Sequence, residues 1–168
     1  GQPSPKVREE ANKALRLEPN NVDAVLALAT ADLLEGKNAE ARKGFQRVIE
    51  LDPSNAAAHQ DYGLLLPLKP ALAETLESVQ LDPDDATAQN NLAALYLDLG
   101  QYAQALPHLQ AMLRLDPHSA GSVLGLAQNY ALLHRNEDAA KAFDLVQPDT
   151  ELGTALVAAG RLTYESVL

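Results

Sequence analysis

Leu, Ala and Val recur every three or four residues along most of this chain, and each run breaks at a proline, a glycine or an Asn/Asp cluster. That spacing is the period of an α-helix with one apolar face, and such a face needs a neighbour to cover it. The breaks are regular too. An aliphatic–x–Leu–acid–Pro box closes residues 15–19, 49–53, 79–83 and 113–117, and the box prolines are spaced by 34, 30 and 34 residues. A fixed period of this length marks a stacked-repeat architecture.

Counting forward from each box proline shows what repeats. Large–small pairs stand nine and ten residues on: Leu28-Ala29, Tyr62-Gly63, Leu92-Ala93 and Leu126-Ala127. Asp32, Leu66, Tyr96 and Tyr130 follow at thirteen, and Gly36, Gly100 and His134 at seventeen, a place where glycine ends a helix cheaply. Ala41, Ala105 and Ala139 come at twenty-two, then Phe45, Leu109 and Phe143 at twenty-six. Each unit therefore predicts two helices. The acid–Pro step stops the second, because proline disfavours helical geometry in the residue before it. Asn or Asp after the proline, as in Asn20-Asn21 and Asp84-Asp85, is placed to cap the next helix.

This pattern resembles the tetratricopeptide repeat (TPR) family over residues 6–147, most closely in residues 86–117 with Asn91-Leu92-Ala93-x-x-Tyr96, Leu99-Gly100, Tyr102 and Ala105. It departs from the family where Val25, His59, Gln89 and Val123 replace an early Trp. The resemblance implies an all-α fold, a right-handed superhelical solenoid of antiparallel helix pairs with about four full repeats. The expected organisation is a half repeat at 6–17, repeats at 20–53, 54–83 (shortened), 84–117 and 118–147, and a degenerate fifth unit or cap at 148–168.

The resemblance also implies that the first helices line a concave, ligand-bearing face. Carried over, those positions are Leu26, Thr30 and Leu33 (with Asp23 and Leu34), Gln60 and Leu64 (with Ala57), Asn90, Ala94 and Leu97 (with Thr87 and Asp98), and Leu124 and Gln128 (with Gly121, Ala131 and Leu132). The set mixes leucines with amides and holds no Lys or Arg. Chaperone-adaptor relatives clamp a terminal carboxylate with cations on this face, and a clamp needs charge-assisted donors. An acidic C-terminal tail is therefore rejected as ligand. Amides can instead donate to and accept from the backbone of an extended peptide. The alternative is that these leucines only cover neighbouring helices.

Two irregularities break the period. The second unit lacks four residues and carries Leu66-Pro67-Leu68-Lys69-Pro70 where the helix-ending glycine belongs. Four residues are close to one helical turn, so the hairpin is expected to shorten with its buried faces nearly in phase. Pro67 should end the first helix near Leu66, and Pro70 should fall in the first turn of the second. Beyond Phe143 the box decays to Leu145-Val146-Gln147-Pro148, and Leu152-Gly153-x-x-Leu156-x-x-x-Gly160 reads as one more first helix with Leu162 and Tyr164 after it. Residues 6–17 look like a lone second helix. These ends are either caps or parts of a longer array.

Composition narrows function. The chain has 168 residues and a net charge of −10; residues 1–50 balance 8 Lys/Arg with 8 Asp/Glu, whereas residues 51–168 hold 5 against 15. Nucleic acid and anionic membranes bind through cationic patches, so neither is expected as a partner, and a basic or apolar protein or peptide is. No apolar run has the length of a membrane span, and residues 1–5 carry no signal-peptide pattern. Cysteine is absent, which excludes disulfides and thiolate chemistry and leaves a bacterial cytoplasm and a periplasm equally open. His59, His108, His118 and His134 show no metal-site spacing, and Asp82, Asp84 and Asp85 read as helix stops and caps rather than a calcium loop. No phosphate loop or nucleophile elbow is present, and no cofactor is expected. The sequence thus predicts a non-catalytic protein-interaction scaffold. Its rivals are a structural array that self-associates through its terminal helices, and a regulatory module of a larger enzyme or secretion protein.

Overall fold

The computed structural model describes residues 5–145 and 150–165. Among them the chain forms ten helices and no strand: α1 (Pro5–Leu17), α2 (Val22–Leu34), α3 (Asn38–Leu51), α4 (Ala56–Gly63), α5 (Leu68–Leu81), α6 (Ala86–Asp98), α7 (Tyr102–Leu115), α8 (Ala120–Leu132), α9 (Asn136–Ala142) and α10 (Glu151–Glu165). Each predicted repeat holds one helical hairpin, and the fold is an all-α TPR solenoid. It divides into two compact units at a box proline, residues 1–83 and 84–168.

The repeated residues do the same work in each hairpin. Two residues past each box proline, Asn21, Asn55, Asp85 and Ser119 accept backbone N–H groups of the first turn through their side-chain oxygens. These bonds satisfy donors that every helix start leaves orphaned. The first helices close at Gly36 (φ 74°), Gly100 (φ 69°) and His134 (φ 57°), all left-handed. At each, the next residue reaches back five positions: Lys37 N–H to Asp32 O, Gln101 N–H to Tyr96 O and Arg135 N–H to Tyr130 O, at 2.8, 2.8 and 2.9 Å. The box acids Asp52, Asp82 and Asp116 lie outside the second helices in extended geometry, as the following proline demands.

In residues 5–83, α1 packs on α2, α2 on α3, α3 on α4 and α4 on α5. One core cluster is Ala29, Ala41 and Phe45, with Leu26, Leu33, Tyr62 and Leu65 against it. Gly44 allows the closest approach in this unit, since a Cβ there would stand 2.6 Å from that of Ala29. Arg8 ties α1 down by donating to Asp32 (2.7 Å) and Glu35 (2.9 Å). The Glu35 bond first and the Asp32 bond second strengthen the hold of Arg8 on its proton, and Arg8 and then Lys37 draw the Glu35 carboxyl below its ordinary range.

The missing four residues fall on the first half of the second repeat. Helix α4 has 8 residues where α2, α6 and α8 have 13, while α5 keeps the full 14. The first helix ends at Gly63, earlier than the expected Leu66; Pro67 becomes the N-cap of α5 and Pro70 falls in its first turn.

Residues 84–168 bury a larger cluster, including Leu109, Leu113, Val123, Leu126, Tyr130, Phe143 and Val157. Helix α7 carries Pro107 in its interior. Helix α10 lies against α8 and α9, the position of a further first helix. It runs through Gly160 rather than ending there. A Cβ at Gly160 would stand 2.6 Å from the Phe143 ring and 3.1 Å from Leu124, so this glycine serves close packing. Gln147, Pro148 and Val146 of the decayed box lie outside the described residues.

The four replacements of the early aromatic are all accommodated inside hairpins. His59 is 7% exposed, with Nδ1 2.7 Å from Glu74 Oε2 and Nε2 3.0 Å from the Pro53 carbonyl. Gln89, 5% exposed, accepts from His108 Nδ1 at 2.8 Å, and the His108 ring stacks on Tyr96. Val123 is fully buried and Val25 half-buried.

Candidate functional site

The first helices carry the candidate positions, and burial sorts them. In the first unit, Leu26 and Leu33 are half-buried against the Ala29–Ala41–Phe45 cluster, so each splits its surface between core and solvent. Leu26 and Thr30 come together with Asp23, Leu34 and Val7 along an open cleft of about 430 Å³ on α2. Leu33 is not part of that lining. On the short α4, Gln60 is half-buried and Ala57 exposed; Leu64 is 58% exposed at the helix C-cap.

In the second unit Thr87, Asn90, Ala94 and Asp98 are exposed on α6, and Gly121, Gln128 and Leu132 on α8. Leu97 and Leu124 are half-buried and pack against the unit's core, with Leu124 also close to Gly160 of α10. Ala131 is half-buried. The structure therefore presents the amides Asn90 and Gln128 more openly than the leucines beside them. A separate cleft of about 390 Å³, beside Gln110, Leu113, Pro117 and Leu126, contains none of these positions.

Cations are unevenly shared between the two kinds of helix, whereas acids occur on both. Helices α2, α4, α6 and α8 carry no Lys or Arg; α2 carries Asp23 and Asp32 (the latter paired with Arg8), α4 Asp61 and α6 Asp98, and α8 no acid. The cations of the repeats lie mostly on second helices: Arg42, Lys43 and Arg47 on α3, Lys69 on α5, Arg114 on α7 and Lys141 on α9.

Among the described residues, no group of His, Asp and Glu is arranged to hold a metal ion, and no helix is long and apolar enough to cross a membrane. Burial lowers the His108 side chain below its ordinary value, which keeps it neutral as donor to Gln89.

One concavity includes Asp23 alone of the carried-over positions. Val7, Ala11 and Ala14 of α1 face Ala24 and Ala27 of α2 across an open cleft of about 510 Å³. Its sequence signal is the amphipathic α1 itself, a second-type helix on which no first-type helix of its own is packed among the described residues.

Comparison with known proteins agrees with this architecture. Tetratricopeptide repeat models match residues 8–64 and 96–161, and a second such model matches residues 75–106. The chain is 39% identical over 79 residues to "TPR repeat-containing thioredoxin TTL4" of Arabidopsis thaliana, covering 45% of this chain and 12% of that protein. It is 32% identical over 109 residues to "Hsp70-Hsp90 organizing protein" of Triticum aestivum, covering 62% of this chain and 19% of that protein. It thus spans under a fifth of the length of these curated relatives. Among solved structures, MamA superposes with a TM-score of 0.71 at 17% identity, covering 95% of this chain and 89% of that one. YrrB, described as "a TPR protein with an unusual peptide-binding site", gives a TM-score of 0.67 at 22% identity and covers 88% and 80%. The family models cover well over half of the sequence, and the chain belongs to the tetratricopeptide repeat family.

Proposed function

We propose that this protein is a non-catalytic scaffold whose first-helix faces hold an extended segment of a partner protein, one bearing apolar and Lys or Arg side chains. The observation that carries the reading is the absence of cations from the four first helices, three of which bear aspartates, together with the exposure of Asn90, Gln128, Leu34 and Leu132. Amide side chains each donate and accept, so they suit a peptide backbone without fixing its sequence. Asp23 and Asp98 supply attraction for a cation, through interactions that salt weakens. The peptide-binding description of YrrB and the name of the wheat chaperone organiser support a protein partner in kind.

The test is selection of a random peptide library on the protein, followed by titration of an enriched peptide against Asn90→Ala/Gln128→Ala and against Asp98→Lys. Both alterations are at exposed positions, so helix content should hold. Affinity should fall at least about tenfold, or about 1.4 kcal/mol, in the first variant, and the salt dependence should flatten in the second. Enriched peptides rich in Asp and Glu, or unchanged affinity in both variants, would contradict the reading. A second reading, a TPR module regulating a larger protein, draws on the far greater length of the relatives.

A further inference from the structure

The second hairpin, α4 with α5, is built of different material from the hairpins before and after it. Counting back from the box prolines, the eighth residue is Phe45 in α3 and Leu109 in α7, but Thr75 in α5. The fifth is Val48, Met112 and Ser78 in the same order. Phe45 and Val48 are fully buried and Leu109 is 6% exposed, so these positions fasten a second helix to its hairpin. In α5 both carry hydroxyls and both are still buried, Thr75 at 3% and Ser78 at 1% exposure. Among the described residues the Ser78 hydroxyl has no hydrogen-bond partner.

Helix α4 does not compensate. It has 8 residues against 13 in α2 and α6, and buries only Ala58, His59 and Gly63. The buried apolar residues of α5 are Ala71 and Val79, while Leu72 and Leu76 are half-buried. Among the described residues, neither apolar cluster contains a buried residue of α4 or α5, and Tyr62 and Leu65 sit at the margin of the Ala29–Ala41–Phe45 group. The firmest link across the hairpin is polar: His59 Nδ1 stands 2.7 Å from Glu74 Oε2, and its Nε2 stands 3.0 Å from the Pro53 carbonyl at the entry to α4. A hydrogen bond exchanged with water stabilises less than the burial of a large apolar side chain.

We infer that α4 and α5 are a joint built into the array, a hairpin that opens and closes as a unit while α2–α3 and α6–α7 stay folded. Repeats are held by their nearest neighbours, so a weak unit can open without the rest. Ease of local opening tracks the shortage of buried apolar contact, and this hairpin has less of it than either of those two. A helix of 8 residues does not persist in water without tertiary support, so α4 unwinds once it parts from α5.

Hydrogen exchange of the full chain without ligand, read by mass spectrometry of peptic fragments, tests the joint. Amides of α4 and α5 should exchange at least about tenfold faster than those of α3 and α7. Ser78→Val copies Val48 and should slow exchange in α4 and α5 together by about fivefold or more, with α7 unchanged. His59→Ala should speed it over the same two helices and leave α7 as it was. Equal protection in α3, α5 and α7 would overturn the inference. A variant effect spread evenly along the chain, or confined to one helix of the pair, would overturn it equally. Because no ligand is present, the outcome is independent of what the first-helix faces bind.

Discussion

Replacing Gly44 with alanine tests the tightest helix contact in the first unit. The new methyl carbon would stand 2.6 Å from Ala29 Cβ and 3.2 Å from Ala29 Cα. Carbon atoms pack at about 3.5–4.0 Å, so α2 and α3 would have to part by about 1 Å. The neighbours have no room to give: Ala29 is 1% exposed, and Ala41 and Phe45 are fully buried. Overpacking of this kind costs about 1–3 kcal/mol, and backbone-to-backbone contact places it in the upper half of that range. Alanine returns about 1 kcal/mol of helix propensity. The net expectation is destabilisation by about 1–2 kcal/mol, read as a lower urea midpoint by far-UV circular dichroism. The melting temperature should drop by about 2–4 °C per kcal/mol at this length. Ala29→Gly removes the atom in the way, so the double variant should show a favourable coupling of about 1–2 kcal/mol. If Gly44→Ala alone stabilises by the full propensity gain, and no coupling appears, the helices are not packed as described.

Two further predictions follow the same logic. His134 holds a left-handed φ of 57° where its counterparts are glycines, and His134→Gly should raise stability by about 1 kcal/mol in the same denaturation assay. His108 is depressed by burial, so below about pH 6.5 the unfolded chain binds the extra proton more readily than the folded one. Its contribution is therefore intact above that pH and is lost as pH falls toward the folded value. The loss of stability between pH 7.5 and 5.5 should be smaller in His108→Gln, and an unaltered difference would refute the assignment.

The hairpins were legible because the same residues recur at the same offsets, and each offset has one local cause. Box proline, cap two residues later and left-handed glycine all act within a turn of helix, so the sequence states them directly. The candidate faces were less legible. Leu97 and Leu124 read as groove residues by position, yet they spend much of their surface on the core, because burial depends on which helix arrives from elsewhere in the chain. Gly160 resembled a helix end because the close approach of Phe143 is a tertiary fact. The length of α4 was likewise misjudged: its Gly63 sits against Thr75 and Ala71 of α5, and the helix unwinds before Leu66 rather than at the proline.

The paired side chains inside the hairpins bear on how a repetitive chain avoids confusing its own parts. The residue that replaces the early aromatic faces a fixed position of its own second helix: His59 meets Glu74, and Gln89 meets His108. By offset the corresponding residues are Val25 and Gly44, and Val123 and Ala142, all small or apolar. Apolar faces this similar would let a second helix dock on the wrong first helix during folding. The private polar matches of the second and third hairpins oppose it. A helix bearing Glu74 set against Val25, or one bearing Ala142 set against Gln89, would bury a polar group with no partner, a cost of about 1–3 kcal/mol. The second and third hairpins thus carry addresses of their own, and in outline alone they look more interchangeable with the others than they are.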